Sequence, residues 1–250
     1  METKAIIETE ELTKIYNGQV AVDHLSFQVK EGEIFGFLGP NGAGKTTTLL
    51  MLLGLTEPTS GRARVAGIDP TREPVKVKRV VGYLQEHMGF YRDLNARQML
   101  RFIAELNAIP ADQAEERIER ALKTVGLLEE AEKKIQAYSR GMRQRLGIAE
   151  ILVKEPKIAF LDEPTIGLDP DATNRMLELI QQLCQEKHMT ILLSSHLLYQ
   201  VQRICHRIGI MINGRMVAQG PMEQLAAEKF GVDGEQHTLE EIYMKYFQEA

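Results

Sequence analysis

The stretch FLGPNGAGKTTTLL, Phe37 to Leu50, sets three glycines, one lysine and three threonines between two apolar clusters. Within it, GPNGAGKT from Gly39 to Thr46 fits the pattern G-x-x-x-x-G-K-[ST]. It follows GEIFGFLG, which reads as a buried strand, and precedes KTTTLLMLLGL, which reads as a helix with Gly54 near its end. Glycines reach backbone conformations closed to other residues, so successive N–H groups turn inward toward phosphate oxygens. That predicts a cradle made of Asn41, Gly42, Ala43, Gly44, Lys45, Thr46 and Thr47, with the positive end of the helix behind it. Lys45 supplies a full charge toward the β- and γ-phosphates, and the Thr46 hydroxyl is a ligand for Mg²⁺. A turn that only joined strand to helix would need neither. Kinases, GTPases and motor ATPases share this loop, so it does not by itself choose among them.

KIAFLDEP narrows the choice, because it ends a buried strand with Asp162 and Glu163 at the carboxyl edge where α/β sheets present ligands. Asp162 is suited to holding Mg²⁺, and Glu163 beside it to polarising a water as general base. A catalytic carboxylate next to a metal-binding one points to hydrolysis rather than to transfer onto a second substrate.

The rest of the chain fits an α/β protein. AIIETEEL and QVAVDHLSFQVK read as strands separated by the turn YNG; GRARVAGIDP and RVVGYLQ read as two more. NARQMLRFIAELNAI and ADQAEERIERALKTVGL carry helical spacing, with Ile118, Ala121, Leu122 and Val125 on one face and Pro110 between the two. KIAFLDEP and TILLSS flank a helical segment, which implies a parallel pair. IGIMINGRMVAQG turns on Asn213-Gly214, and TLEEIYMKYFQEA opens with Thr238 and Glu241 at capping-box spacing.

Composition sets outer bounds. The 250 residues are 44% apolar and 26% charged, and a net charge of -5 gives no global drive toward nucleic acid or an anionic membrane. Cys184 and Cys205 form no CxxC pair and read as free thiols. METKAIIETEEL has no apolar core of a signal peptide, and Gly and Pro interrupt the apolar window Ile34 to Leu55, so no bilayer crossing is expected.

YSRGMRQRLGIAEIL, Tyr138 to Leu152, brings in a resemblance that covers nearly the whole chain: the sequence is similar to the nucleotide-binding subunits of ATP-binding cassette (ABC) transporters. The resemblance implies a phosphate-loop core with a mostly parallel sheet, an N-terminal antiparallel β-subdomain and an α-helical signature subdomain. It implies an ATPase domain over 1–220, with the helical part inserted at about 92–150, and a short helical tail over 221–250. Tyr16 matches the aromatic that stacks on adenine, and Gln85 the glutamine that senses Mg²⁺ and the attacking water. His196 matches the switch histidine at the γ-phosphate, and Asp169 in GLDP lies in the loop that crosses the dimer interface. Ser139 and Gly141 would face the γ-phosphate bound by the opposite subunit, so that ATP and Mg²⁺ are shared in a head-to-tail homodimer.

The chain departs from the commonest family pattern in two places: Tyr138, Arg140 and Met142 stand in the signature where Leu, Gly and Gln are usual, and Ile166 replaces a small polar residue before GLD. The implied partner is a separate integral membrane permease, met through Gln85, the helical insertion and the loop EHMGFYRDL, whose Met88, Phe90 and Tyr91 read either as docking groups or as local core. No nucleic-acid partner is implied, and the protein would sit peripherally on the cytoplasmic face of the membrane. The hairpin and tail resemble export-type (ABC-2-like) subunits. The other reading is a soluble ABC ATPase acting on ribosomes or DNA, which usually carries two cassettes or a long coiled coil.

Overall fold

The computed structural model describes residues 4–231 and 237–249; the expectations for residues 1–3, 232–236 and Ala250 lie outside them. Strand β1 (Ala5–Tyr16) runs into β2 (Gln19–Lys30) through Asn17-Gly18, both at positive φ. This two-residue turn matches the twist of the flanking strands. Along β2, Leu25, Phe27 and Val29 are buried while Ser26, Gln28 and Lys30 are exposed, the period of a half-buried strand. With β4 (Ser60–Val65) these strands make an antiparallel sheet in the order β2-β1-β4.

The second sheet has the order β5-β6-β7-β3-β8-β9, built from β3 (Ile34–Leu38), β5 (Val81–Leu84), β6 (Ile158–Asp162), β7 (Thr190–Ser195), β8 (Arg207–Ile212) and β9 (Arg215–Gly220). All its pairs are parallel except β8 with β9, which turn on Asn213-Gly214. Both faces of this sheet are covered, so its strands are continuous apolar runs whose alternate residues enter different cores. Phe35, Phe37, Phe160, Leu192 and Met211 join Phe27, Leu49 and Leu52 on one side. Ile34, Leu38, Leu161, Leu193 and Ile210 join the helices on the other. Phe27, Phe35 and Phe37 have ring centroids 4.8–5.8 Å apart, which ties the antiparallel sheet to the parallel one. Each such buried ring contributes on the order of 1.5–3 kcal/mol.

Helix α1 (Lys45–Leu52) follows the Gly-rich loop. The helical insertion consists of α3 (Ala96–Leu106), α4 (Ala111–Thr124) and α5 (Arg140–Val153). Ile118, Ala121, Leu122 and Val125 are buried against it as their spacing predicts. Helix α6 (Pro170–Lys187) joins β6 to β7, α7 (Leu198–Ile204) follows β7, and α8 (Met222–Phe230) and α9 (Leu239–Glu249) close the chain. The capping box at Thr238 is present: Glu241 N donates to Thr238 Oγ1 at 3.3 Å and Thr238 N to Glu241 Oε2 at 2.8 Å.

Two expected strands are shorter than read. RVVGYLQ begins inside helix α2 (Pro74–Val80), where Pro74 at the first helical position presets φ, and only Val81–Leu84 pair. GRARVAGIDP leaves the sheet at Val65 because Ala66 (φ 51°) and Gly67 (φ 78°) reverse the chain, and Val65 then bridges to Ile68. Among the described residues no helix is long and apolar enough to cross a membrane.

Candidate functional site

Parallel pairing brings three strand ends to one edge. Leu38 pairs with Ser195 and Asp162 with Ser194, so the Gly39–Gly44 loop after β3, the Asp162-Glu163 pair ending β6 and His196 after β7 are neighbours. Gly44 has φ 100°, and a Cβ there would stand 2.5 Å from the Ala21 carbonyl oxygen; only glycine fits this turn into the helix. Residues 41–47 line a cavity of about 270 Å³ together with Ala21, Glu86, Glu163 and Ile166.

Lys45 is buried and bends back over the loop, donating to the carbonyls of Gly39 at 2.7 Å and Pro40 at 3.2 Å. Its Nζ lies 3.7 Å from Glu163 Oε1. Burial pulls the lysine below its usual pKa, against the opposing pull of Glu163 and Asp162. An anionic phosphate at the cavity would favour its charged form.

Thr46 Oγ1 donates to Asp162 Oδ2 at 2.9 Å. The hydroxyl and the carboxylate are adjacent hard oxygen donors, and no cluster of three or more carboxylates, imidazoles or thiols accompanies them among the described residues. That donor set fits Mg²⁺, which takes one or two protein oxygens and leaves the remainder to phosphates and water. Asp162 is fixed from the other side by Ser194 Oγ, which donates to Oδ1, and by Tyr83, whose hydroxyl lies 3.5 Å from Oδ2. Burial, reinforced by Asp162, raises the Tyr83 phenol well above its usual pKa, so it remains a donor.

Glu163 sits at φ 49°, a left-handed conformation that costs a non-glycine residue about 1–3 kcal/mol and is kept only where its surroundings enforce it. Here its N–H donates to Ser194 Oγ at 3.1 Å and to the Ser194 carbonyl at 3.2 Å. The residue is 5% exposed; Oε1 meets His196 Nδ1 at 3.0 Å, while Oε2 is buried with no hydrogen-bond partner among the described residues. An unpaired buried carboxylate oxygen beside this cavity has the chemistry of a proton acceptor.

The other expected residues lie apart from this group. Gln85 is exposed just past β5, and Glu86 rather than Gln85 lines the cavity. Tyr16 ends β1, 42% exposed, with its hydroxyl 3.4 Å from Thr56 Oγ1 and the Lys14 ammonium 4.8 Å from its ring. Ser139 caps α5 by accepting from Met142 N at 3.2 Å; Ser139 and Gly141 lie outside the cavity lining. Asp169 caps α6 through Ala172 N at 2.9 Å.

The two unusual positions adjoin: the Arg140 guanidinium lies against Gly167, so closely that a Cβ there would be 2.6 Å from Arg140 Cζ, and Ile166 next to it lines the cavity. In the loop after β5, Met88 and Phe90 are half-buried on the core, and Tyr91 is 60% exposed, edge-on to Phe102. Core packing accounts for the first two and leaves Tyr91 at the surface. Ser194 and Tyr83 were not singled out by the sequence, because only the strand register brings them to Asp162.

Residues 22–166 match the family model described as ABC transporter. The bacitracin transport ATP-binding protein BcrA of Bacillus licheniformis is 43% identical over 220 residues, which are 88% of this chain and 71% of that protein. A solved structure of an ATP-binding subunit of an ABC transporter superposes with a TM-score of 0.85 at 30% identity, covering 97% of this chain and 99% of that one. The dimeric post-hydrolysis cassette MJ0796, bound to ADP and Pi, superposes with a TM-score of 0.78 at 25% identity over 86% of this chain and 98% of that one.

Proposed function

This chain belongs to the ABC transporter family, and we propose that it hydrolyses ATP at two shared sites of a head-to-tail homodimer to drive export through separate permease subunits. Hydrolysis of ATP coupled to transport is the family's activity and this chain's. The observation that carries the residue assignment is the Glu163 carboxylate, held between Lys45 and His196 with one buried oxygen unpaired.

In this reading residues 41–47 bind the phosphates, Lys45 exchanges its two loop carbonyls for β- and γ-phosphate oxygens, and Tyr16 stacks on adenine. Thr46 and Asp162 would hold Mg²⁺, which would neutralise charge on the phosphate oxygens, and Gln85, exposed just past β5, would reach that ion by moving toward the cavity. Glu163 takes the proton of the attacking water, and His196 orients Glu163 and meets the γ-phosphate. Ser139 and Gly141, remote from this subunit's own cavity, close the site of the other copy. ATP then holds the dimer together and loss of the γ-phosphate releases it. The dimeric MJ0796 cassette supports this arrangement.

The ATPase domain spans 1–220 with its helical insertion at about 92–150, and 221–250 forms a tail. Exposed Tyr91 and Gln85 belong to the permease-facing surface, which puts the chain on the cytoplasmic face of the membrane. An antibiotic-transport relative and the hairpin-and-tail resemblance favour export. Glu163→Gln tests the assignment: ATP binding should persist, phosphate release should nearly cease, and sedimentation should show a dimer in ATP. Wild-type turnover in that variant would remove Glu163 as the base.

A further inference from the structure

Helix α7 begins two residues after His196, and its Gln200 Oε1 accepts from the hydroxyl of Thr165, two residues after Glu163. Two links therefore join the segment 163–165 to the segment 196–200: the His196–Glu163 contact at the reacting end and the Gln200–Thr165 bond behind it. Thr165 is 3% exposed and Gln200 half-buried, so this bond is partly shielded from water. Beside it lies a small cavity lined mainly by Pro164, Leu177, Leu193 and Ile204; its other polar side chain, Ser195, already accepts from Leu197 N at 3.0 Å. The rest of α7 is packed tightly. A Cβ on Gly36 of β3 would meet Val201 Cγ1 at 2.7 Å and Cys205 Sγ at 2.8 Å, and Leu239 N at the start of α9 donates to Gln202 Oε1 at 3.1 Å.

We infer that Gln200 is a positioning residue for hydrolysis, tying α7 to Thr165 so that His196 and Glu163 keep their 3.0 Å contact. This rests on the assignment of Glu163 and His196 above. Packing on β3 and α9 fixes the far side of α7, and Gln200 is its one side-chain hydrogen bond to the loop that carries Glu163 among the described residues. Without that bond the 163–165 turn loses its tie to α7, and the left-handed Glu163, still anchored through its N–H to Ser194, can swing its carboxylate away from His196. The group that suffers is the base, while the phosphate loop is untouched.

The test compares single-turnover and steady-state ATP hydrolysis in the full chain for Gln200→Leu, Gln200→Glu, Thr165→Val and the Gln200→Leu/Thr165→Val double variant. Gln200→Leu and Thr165→Val should each lower kcat about tenfold, the loss of one net hydrogen bond, with the KM for ATP unchanged. Gln200→Glu keeps an acceptor for the Thr165 hydroxyl and should restore most of the rate. The double variant should be no worse than either single, since both remove the same bond. Wild-type kcat in Gln200→Leu and Thr165→Val, additive losses, or a change in KM alone would overturn the proposal. Glu163→Gln in parallel separates the causes: if it retains turnover the assignment of the base fails and this inference with it, whereas an inactive Glu163→Gln beside a fully active Gln200→Leu overturns only the role of Gln200.

Discussion

Ser194→Ala is a sharp probe of how the sheet builds the edge of the site proposed to hold Mg²⁺. Ser194 is 0% exposed, and its hydroxyl both donates to Asp162 Oδ1 and accepts the N–H of Glu163 at 3.1 Å. Alanine leaves Asp162 without one of its buried donors, a loss of about 1.5–3 kcal/mol for a hydrogen bond to a charged group. The Glu163 amide still has the Ser194 carbonyl at 3.2 Å, so its loss adds only about 0.5 kcal/mol. The total, about 2–3.5 kcal/mol, corresponds to a fall in Tm of roughly 5–10 °C for a chain of this size. Asp162 would retain Thr46 at 2.9 Å and Tyr83 at 3.5 Å, both on Oδ2, and would turn about them. The Mg²⁺ concentration for half-maximal turnover should therefore rise several-fold. Urea unfolding and phosphate release against Mg²⁺ measure the two effects. Ser195→Ala serves as control, because Ser195 Oγ only accepts from Leu197 N at 3.0 Å and should cost about 1 kcal/mol. Equal stability and equal Mg²⁺ dependence for Ser194→Ala and wild type would refute the reasoning.

Two further outcomes are expected. Tyr16→Ala should raise the Kd for ATP about 3–10-fold by calorimetry, the worth of one aromatic stacking contact, with kcat at saturation unchanged; unaltered affinity would remove Tyr16 from the adenine site. Burial raises the Glu150 carboxyl to about 7, and its Oε1 is shut away from solvent without a partner among the described residues. The folded chain thus holds a proton that the unfolded chain gives up near its ordinary value of 4.5, so this contribution is present below that pH and is lost as pH rises through about 7. Glu150→Gln should be more stable than wild type by about 1–3 kcal/mol at pH 8 and not at pH 4.5, and a difference independent of pH would contradict the assignment.

What was legible in the sequence was what local chemistry dictates. Asn17-Gly18 and Asn213-Gly214 announced their hairpins because few other pairs take positive φ twice in succession. The stripe Ile118, Ala121, Leu122, Val125 announced α4, and the loop Gly39–Thr46 announced the glycine turn that lines the cavity ahead of α1. Helices α2 and α7 escaped because each has seven residues and too few buried positions to show a period: Val77 alone in α2, and Val201 and Ile204 in α7. Ser194 and Tyr83 escaped for a different reason. Their partner, Asp162, is 32 residues from one and 79 from the other, and only the pairing of β5, β6 and β7 brings them together. The contact between Arg140 and Gly167 likewise joins two positions whose departures from the family pattern looked separate in the chain.

The central claim is that each catalytic site is completed by another copy of the chain, and complementation tests it directly. Lys45→Ala damages the phosphate loop but leaves Ser139 and Gly141 intact; Gly141→Asp puts a negative charge where the other copy's γ-phosphate would sit but leaves Lys45 intact. Each variant alone should release almost no phosphate. Mixed in equal amounts with ATP, half the dimers pair one with the other and carry one sound site of two, so turnover should return to roughly a quarter of wild type. A mixture no more active than its separate components would contradict the shared site.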